Sequence, residues 1–356
     1  MTRNTADRAI GVLGMGTYLP ERIRTNAEVA RAAGVSAEWI SERTGVHTRH
    51  TAAPDEAASD LAAAAVRSAV RAAGIDARSI DVLICATSTP DELGPSTACR
   101  IQALVGATHA VALDVSAACS GWLFATKVAH DWLRADETAR YAVVVGVEAY
   151  SKFLNPADRG TAVLFADGAA AAVLGTVAAP HGFTDFVLGS DGTLADLVLI
   201  AAGGSRNPAS ADTLLDGGHR IRMDGRAVSH FISDVFPQLV HDALDRNGLA
   251  VTDIKRLIAH QPNPVVLRQL SRELGLTDDQ VTVIGDAVGN IGAASAPFAL
   301  ATAAAEHGLQ PGDLALITVF GAGMTWGTVL LQWSGAPSLH TTPDHVPHHL
   351  LERLLA

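Results

Sequence analysis

"GIDARSIDVLICATST", residues 74–89, and "GLAVTDIKRLIAHQPN", residues 248–263, read as two copies of one unit. In each, an Ile stands six positions after the Gly (Ile80, Ile254), and an apolar strand follows, VLICA in one and LIA in the other. Each copy is preceded by a helical pattern, LAAAAVRSAVRAA and FPQLVHDALDRN, which the glycine would terminate. The parallel continues. A helix comes next (CRIQALVG; LRQLSRELGL), then a short strand and a turn rich in Gly, Ala and Ser (ALDVSAACSG; TVIGDAVGNIGAAS). A small-residue helix and a buried strand close each copy (YAVVVGVEA; DLALITVFGAG).

The chain is therefore one α/β unit written twice, with an offset of roughly 174 residues. Strands that are apolar almost throughout, alternating with helices, predict sheets covered on both faces. Two unrelated α/β domains would not repeat four elements in the same order. We place an N-terminal half over 1–178, a C-terminal half over 179–334 and a polar tail over 335–356. Residues 175–225 match neither copy well and read as an insertion or cap.

The 356 residues are too many for one small core, and aromatic residues are only 5% of them, so the core is built from Ala, Val, Leu and Ile. The net charge of −11 argues against nucleic acid as a partner. Cys85, Cys99 and Cys119 cannot all pair, and neither a CxxC motif nor a Cys/His ligand cluster exists, so free thiols in a reducing cytoplasm are expected. No apolar run of roughly 18 residues predicts a membrane span. His345, His348 and His349 in the tail are read as solvated, and no metal is assigned.

"DVSAACSGW", 114–122, sets Cys119 among side chains of almost no bulk. The cysteine follows the strand VALDV and opens the helix SGWLFATKVAHDWL. A helix N-terminus there would stabilise a thiolate and lower the thiol pKa. Small neighbours let a substrate carbonyl approach the sulfur and let backbone N–H groups reach its oxygen. Cys85, in mid-strand, and Cys99, on a helix, read as structural. In the second copy His260 ends the strand RLIA, and Asn290 lies in "VGNIGAAS". If the copies superpose, Cys119, His260 and Asn290 sit at matched strand ends and converge between the halves. The bend in "FGAGMTWG", 320–327, could add a backbone N–H for an oxyanion.

At these four places the sequence resembles β-ketoacyl-acyl-carrier-protein synthase III, of the thiolase superfamily. The matching segments are "SAACSGW", "HQPN", "VGNIGAAS" and "FGAGMTWG", with "WISERTGV" at 39–46 and "DRGT" at 158–161. The resemblance implies an α/β fold, the thiolase-like five-layer αβαβα sandwich of two pseudo-repeated halves, in a homodimer. It implies that Cys119 takes an acyl group from an acyl-CoA. His260 and Asn290 then support the enolate of malonyl-CoA or a malonyl carrier protein as CO₂ leaves, with no metal or organic cofactor. The N–H groups of Cys119 and Ala322 would form the oxyanion hole, each typically worth about 3–4 kcal/mol of barrier. Trp39 and Arg43 correspond to the pair that sandwiches the CoA adenine, Arg159 and Gly160 to positions flanking the nucleotide, and Asn263 to a pantetheine contact. Phe320 falls in the acyl pocket.

Three departures from the family pattern stand out. Acetyl-specific members carry a Phe, reaching across the dimer into the acyl pocket, where this chain has Gly94; the missing ring predicts a starter larger than acetyl. The basic patch that docks the carrier protein is thinned. Val265, His230 and Glu273 stand at expected basic positions, leaving Arg272, Arg268 and Arg226. Pro262 and Pro264 stiffen the loop holding His260.

An alternative on the same fold is an acyltransferase that passes the Cys119 acyl group to a hydroxyl or amine, with His260 as general base. Asn290 favours the condensing enzyme, because an enolate needs that second donor. A thiolase would carry a second cysteine on the C-terminal glycine loop. "GVLGMG" at 11–16 hints at a dinucleotide-binding turn, but a Pro stands where the phosphate-binding helix would start, and no acidic ribose partner follows.

Overall fold

The computed structural model describes residues 8–306 and 308–341. The first half runs β1 (Ile10–Tyr18), β2 (Arg22–Thr25), α1 (Asn26–Ala33), α2 (Ala37–Thr44), β3 (Thr48–Thr51), α3 (Ala58–Ala73), β4 (Val82–Ala86), α4 (Thr97–Val105), β5 (Val111–Val115), α5 (Gly121–Ala135), β6 (Tyr141–Ala149) and β7 (Asp167–Thr176). The second runs β8 (Gly182–Ser190), β9 (Val198–Ile200), α6 (Ala211–Leu215), β10 (Ile221–Met223), α7 (Gly225–Asn247), β11 (Arg256–Ala259), α8 (Pro264–Glu273), α9 (Gly285–Val288), α10 (Ser295–Ala305), β12 (Leu314–Gly321), β13 (Thr325–Gln332) and β14 (Ser338–Thr341).

The two main sheets have the same plan. One is ordered β14-β1-β7-β6-β4-β5, the other β11-β12-β13-β8. In the first, β1 and β7, and β7 and β6, are antiparallel, whereas β6, β4 and β5 are parallel. In the second, β8 and β13, and β13 and β12, are antiparallel, and β12 and β11 parallel. A parallel bridge from Leu257 to Val281 stands where β5 stands in the first copy. The helices that precede β4 and β11 end as expected. Gly74 and Gly248 adopt the left-handed conformation, with φ of 66° and 62°, at the C-caps of α3 and α7.

Three apolar cores define five layers. α3 and α4 pack on the outer face of the first sheet, where Leu61, Val66 and Ile101 meet Leu83 and Val145. α7 and α8 cover the outer face of the second, with Phe236, Val240 and Leu267 against Leu257 and Leu316. α5 and α10 lie between the sheets, with Trp122, Leu123 and Leu300 against Val144, Ile258 and Ile317. α10 is buried around almost its whole circumference, as a helix between two sheets must be. The result is the αβαβα sandwich.

Two sequence expectations need correction. Residues 175–225 are not all insertion, because 182–190 form β8, the counterpart of β1 in the second sheet. Its pattern was obscured because it is only partly buried along most of its length. The insertion proper is the excursion through β9, α6 and β10, where β9 and β10 pair in a small antiparallel sheet. The stretch assigned to the polar tail supplies a strand as well, since β14 joins the edge of the first sheet parallel to β1. The tail histidines 345, 348 and 349 lie outside the described residues. No helix among the described residues is long and apolar enough to cross a membrane.

Candidate active site

Cys119 sits in a single 3-10 turn, 118–120, that leads from β5 into α5. Ala118 is held at φ 46°, a conformation an L-residue adopts at a cost, so the turn before the sulfur is strained. Asp114, the first residue of the motif, does not face the reaction. Its carboxylate accepts from the Thr97 and Ala98 amides at 2.7 and 2.8 Å and caps α4.

The C-terminal hairpin holds this turn in place. The Thr325 hydroxyl donates to the carbonyls of Ala117 at 3.1 Å and Ala322 at 3.3 Å, and the Ser120 hydroxyl donates to the Thr325 carbonyl at 3.2 Å. Ala322 is thereby carried beside Cys119. A reciprocal contact exists across the repeat. A β-carbon on Gly146 of β6 would stand 2.3 Å from the Ala293 carbonyl oxygen, so only glycine lets that strand touch the turn that carries Asn290.

His260 follows β11, with its amide donating to the Thr318 carbonyl at 3.0 Å. Its ring is packed edge-on against Phe320, centroids 5.3 Å apart. The Asn290 backbone is pinned on both sides, donating to the Leu164 carbonyl at 2.8 Å and accepting from the Ala166 amide at 2.9 Å. Its side-chain Oδ1 accepts from the Gly292 amide at 2.9 Å, which leaves the NH₂ end free to donate. Cys119, His260, Asn290, Phe320 and Ala322 all border one cavity of about 290 Å³. Cys119, His260 and Asn290 were expected at matched strand ends; Cys119 and His260 do follow β5 and β11, whereas Asn290 follows the short helix α9. The cavity wall is otherwise largely apolar, with Phe165 from the first half and Leu199, Ile221 and Met223 from the insertion.

The expected lowering of the thiol pKa is not what the site produces. Burial, reinforced by the Glu148 carboxylate, pushes Cys119 up to about 12, and the Tyr150 hydroxyl only partly opposes this. Burial likewise holds His260 down, to about 3, with its Nδ1 lacking a hydrogen-bond partner among the described residues. Thiol and imidazole are thus both neutral near pH 7. A neutral imidazole with an unpartnered Nδ1 has Nε2 left to offer an N–H to a substrate oxygen.

Asn263 also borders the cavity. It is the N-cap of α8, accepting from the Val265 and Val266 amides at 2.9 and 3.2 Å, and its Nδ2 donates to the Arg43 carbonyl at 3.1 Å. Trp39 and Arg43 lie one turn apart on α2, and the Arg159 guanidinium stands over the Trp39 ring at 5.9 Å. The Gly160 amide donates to Asp158 at 2.8 Å, fixing the turn beside Arg159. These residues gather near the Asn263 edge of the cavity. Gly94 does not border this cavity. It lies in an exposed turn beside Leu93, which is 86% exposed. Among the described residues no cluster of His, Cys, Asp and Glu could hold a metal ion.

Two residues of the site were missed in the sequence. Glu148 is fully buried on β6, accepting from the Ser88 amide at 3.1 Å, the Thr89 hydroxyl at 2.9 Å and, from the other half, the Ala293 amide at 3.4 Å. Burial raises it to about 8. Tyr150 borders the cavity beside Cys119. The signal was present: a lone Glu in the otherwise apolar run YAVVVGVEA.

A half-buried cysteine at a strained turn, an imidazole and a carboxamide around one cavity, between the halves of an αβαβα sandwich, define a thiolase-fold condensing enzyme. The family described as 3-oxoacyl-[acyl-carrier-protein (ACP)] synthase III matches residues 113–192, and its C-terminal part matches 244–333. The chain is 41% identical over 328 residues to a β-ketoacyl-[acyl-carrier-protein] synthase III of Caldanaerobacter subterraneus subsp. tengcongensis, covering 92% of this chain and 98% of that one. It is 42% identical over 324 residues to the acetoacetyl CoA synthase NphT7 of Streptomyces sp. CL190, covering 90% and 98%. The crystal structure of 3-oxoacyl-(acyl carrier protein) synthase III, FabH, from Pseudomonas aeruginosa PAO1 superposes with a TM-score of 0.84 at 38% identity, over 92% of this chain and 99% of that one. The chain belongs to the β-ketoacyl-acyl-carrier-protein synthase III family. Its members are acyl-transferring condensing enzymes that take acyl thioesters on a cysteine without a cofactor.

Proposed function

We propose that this chain, as a cytoplasmic homodimer, loads an acyl group larger than acetyl from acyl-CoA onto Cys119. It then condenses that group with a malonyl thioester, releasing CO₂. The observation that carries the reading is the shared cavity of Cys119, His260, Asn290 and Ala322. The thiol sulfur attacks the starter carbonyl while the Cys119 and Ala322 amides receive its oxygen, the bond to the CoA sulfur breaks, and CoA leaves as the thiol with the proton that Cys119 gives up. His260 and Asn290 donate to the malonyl carbonyl oxygen, where negative charge develops as CO₂ departs. The resulting carbanion attacks the acyl-cysteine and expels the Cys119 thiolate, which takes up a proton from solvent to restore the thiol. The largely apolar wall built by the insertion supports a starter with several carbons.

The acceptor is better read as malonyl-CoA than as a malonyl carrier protein. Arg268 is paired with Asp286 at 3.0 Å and Arg272 with Asp278 at 2.9 Å, so two of the three remaining basic residues are neutralised at the surface. His230 lies 3.5 Å from Asp234. An acidic carrier protein would meet little positive potential there. The similarity to an acetoacetyl CoA synthase supports the same reading.

Intact-protein mass spectrometry tests each step. Incubation with a panel of acyl-CoAs reports the starter as the mass added at Cys119. Malonyl-CoA and malonyl carrier protein are then offered separately. Faster turnover of the acyl-enzyme with malonyl-CoA, with loss of CO₂, is expected. Strict preference for acetyl-CoA would overturn the starter assignment, and robust turnover with the carrier protein the acceptor assignment.

A further inference from the structure

Arg49, on β3, has no part in the chemistry described so far. It is 1% exposed, and its hydrogen bonds all go to neutral oxygens. Nε and Nη2 donate to the Val163 carbonyl at 3.1 and 2.6 Å, and Nη1 donates to Asn26 Oδ1 at 2.7 Å. Asn26 is fixed in turn, its Nδ2 donating to the Ser41 hydroxyl at 2.9 Å and to the Val46 carbonyl at 2.8 Å. Burial lowers the guanidinium to about 10, so it is still charged at neutral pH. A cation that loses its water without gaining a counter-charge is costly, and an apolar side chain would fill the space without that cost.

What the guanidinium holds is the turn that frames Asn290. Directly after Val163, the Leu164 carbonyl accepts from the Asn290 amide at 2.8 Å, and the Ala166 amide donates to the Asn290 carbonyl at 2.9 Å. The Arg49 stem packs on the other side of the same joint. A β-carbon on Gly289, whose φ is 78°, would stand 3.2 Å from Arg49 Cγ and 2.9 Å from Ala166 Cβ. The residues just before Arg49 strap the same loop. The His47 amide donates to the Asp286 carbonyl at 2.8 Å, and the Thr48 hydroxyl donates to the Ala287 carbonyl.

We propose that Arg49 is a positioning residue for decarboxylation: with its guanidinium on Val163 and its stem on Gly289, it fixes the loop that aims the Asn290 carboxamide into the cavity. This rests on the reading of Asn290 as a donor to the malonyl carbonyl. Arg49 does not border the cavity and acts only through Asn290. The Asn290 side chain has one restraint of its own, from Oδ1 to the Gly292 amide, so the backbone on either side sets its aim. A two-pronged grip fixes the Val163 carbonyl in direction as well as distance, which a single donor does not. Cys119 is held differently, by Thr325 and Gly321 of the C-terminal hairpin, which Arg49 does not touch. Loss of the guanidinium therefore falls on the step that uses Asn290 and spares the step that loads the thiol.

The test compares wild type with Arg49→Met, Arg49→Lys, Asn290→Ala and the double variant Arg49→Met/Asn290→Ala. Two rates are read on each. Acylation of Cys119 by an acyl-CoA that the wild type accepts is timed by intact-protein mass spectrometry. CO₂ release is timed with malonyl-CoA, whose carbanion takes a proton from solvent to leave acetyl-CoA. Arg49→Met is expected to slow CO₂ release roughly 10- to 10²-fold, with acylation within threefold of wild type. Arg49→Lys keeps a donor for Val163 but not the fork, and is expected to fall between the two. The double variant is expected to release CO₂ no more slowly than Asn290→Ala, because Arg49 acts through that side chain. CO₂ release within twofold of wild type in Arg49→Met would overturn the proposal. Equal losses in both rates, or losses that multiply in the double variant, would overturn it too. If Arg49→Met does not fold, Arg49→Lys takes its place in every comparison. An Asn290→Ala enzyme that releases CO₂ at the wild-type rate overturns the reading of Asn290, a failure seen with Arg49 intact, and the positioning role falls with it.

Discussion

The α-carbon of Gly321 packs so closely on the nucleophile turn that a β-carbon there would stand 2.7 Å from the Cys119 amide nitrogen. The contact joins the end of β12 to the start of α5, and it sets the distance between the Cys119 and Ala322 amides. Gly321→Ala must push the two apart. Displacing one oxyanion donor is expected to lower kcat roughly 10²–10³-fold, with the thiol still open to alkylation. A steady-state assay beside an alkylation assay checks this. Unchanged kcat would show that the Ala322 amide takes no part.

The two half-reactions should separate by residue. Cys119→Ala cannot gain an acyl mass, yet it keeps His260 and Asn290 at the cavity and should still release CO₂ from malonyl-CoA. Asn290→Ala should be acylated at close to the wild-type rate and lose decarboxylation by roughly 10²-fold. Mass spectrometry and a CO₂-release assay on both variants make the comparison. Loss of acylation in Asn290→Ala, in a protein with wild-type Tm, would contradict the division of labour.

Two buried groups predict opposite pH slopes of stability. His260 is held down to about 3 from 6.5, so below pH 6.5 the unfolded chain binds a proton that the folded site refuses. Its contribution is present above pH 6.5 and is lost as pH falls toward 3. Glu148 is raised to about 8 from 4.5, so its contribution is present below pH 4.5 and is lost as pH rises through 8. Each slope reaches at most about 1.4 kcal/mol per pH unit. Urea midpoints from pH 4 to 9 should show a flatter acid limb in His260→Gln and a flatter alkaline limb in Glu148→Gln. Parallel curves for all three proteins would refute both assignments.

Trp39 and Arg159 should act on CoA binding alone. The guanidinium lies 5.9 Å over the ring, near the Asn263 edge of the cavity and away from the sulfur. Trp39→Ala is expected to raise KM for acyl-CoA roughly tenfold with kcat within twofold, the pattern of lost uniform binding. A fall in kcat at unchanged KM would place the pair elsewhere in the cycle.

The amino-acid sequence determined the repeat, the helix ends at Gly74 and Gly248, and the strand ends that carry Cys119 and His260. These are matters of local pattern. Apolar runs, glycines that tolerate a left-handed turn and small residues at a helix start act over a few positions, so they can be read in one dimension. The missed elements were those with weak local patterns: the partly buried β8, and β14, whose place at the sheet edge is set by pairing with β1 more than 300 residues away. Only the tertiary structure decided the electrical state of the site. The helix start argued for a low thiol pKa, but burial between the two halves, with the Glu148 carboxylate behind it, outweighs it. Dielectric surroundings are made by every layer that closes over a group, and a sequence does not say which layers those are until the two halves meet.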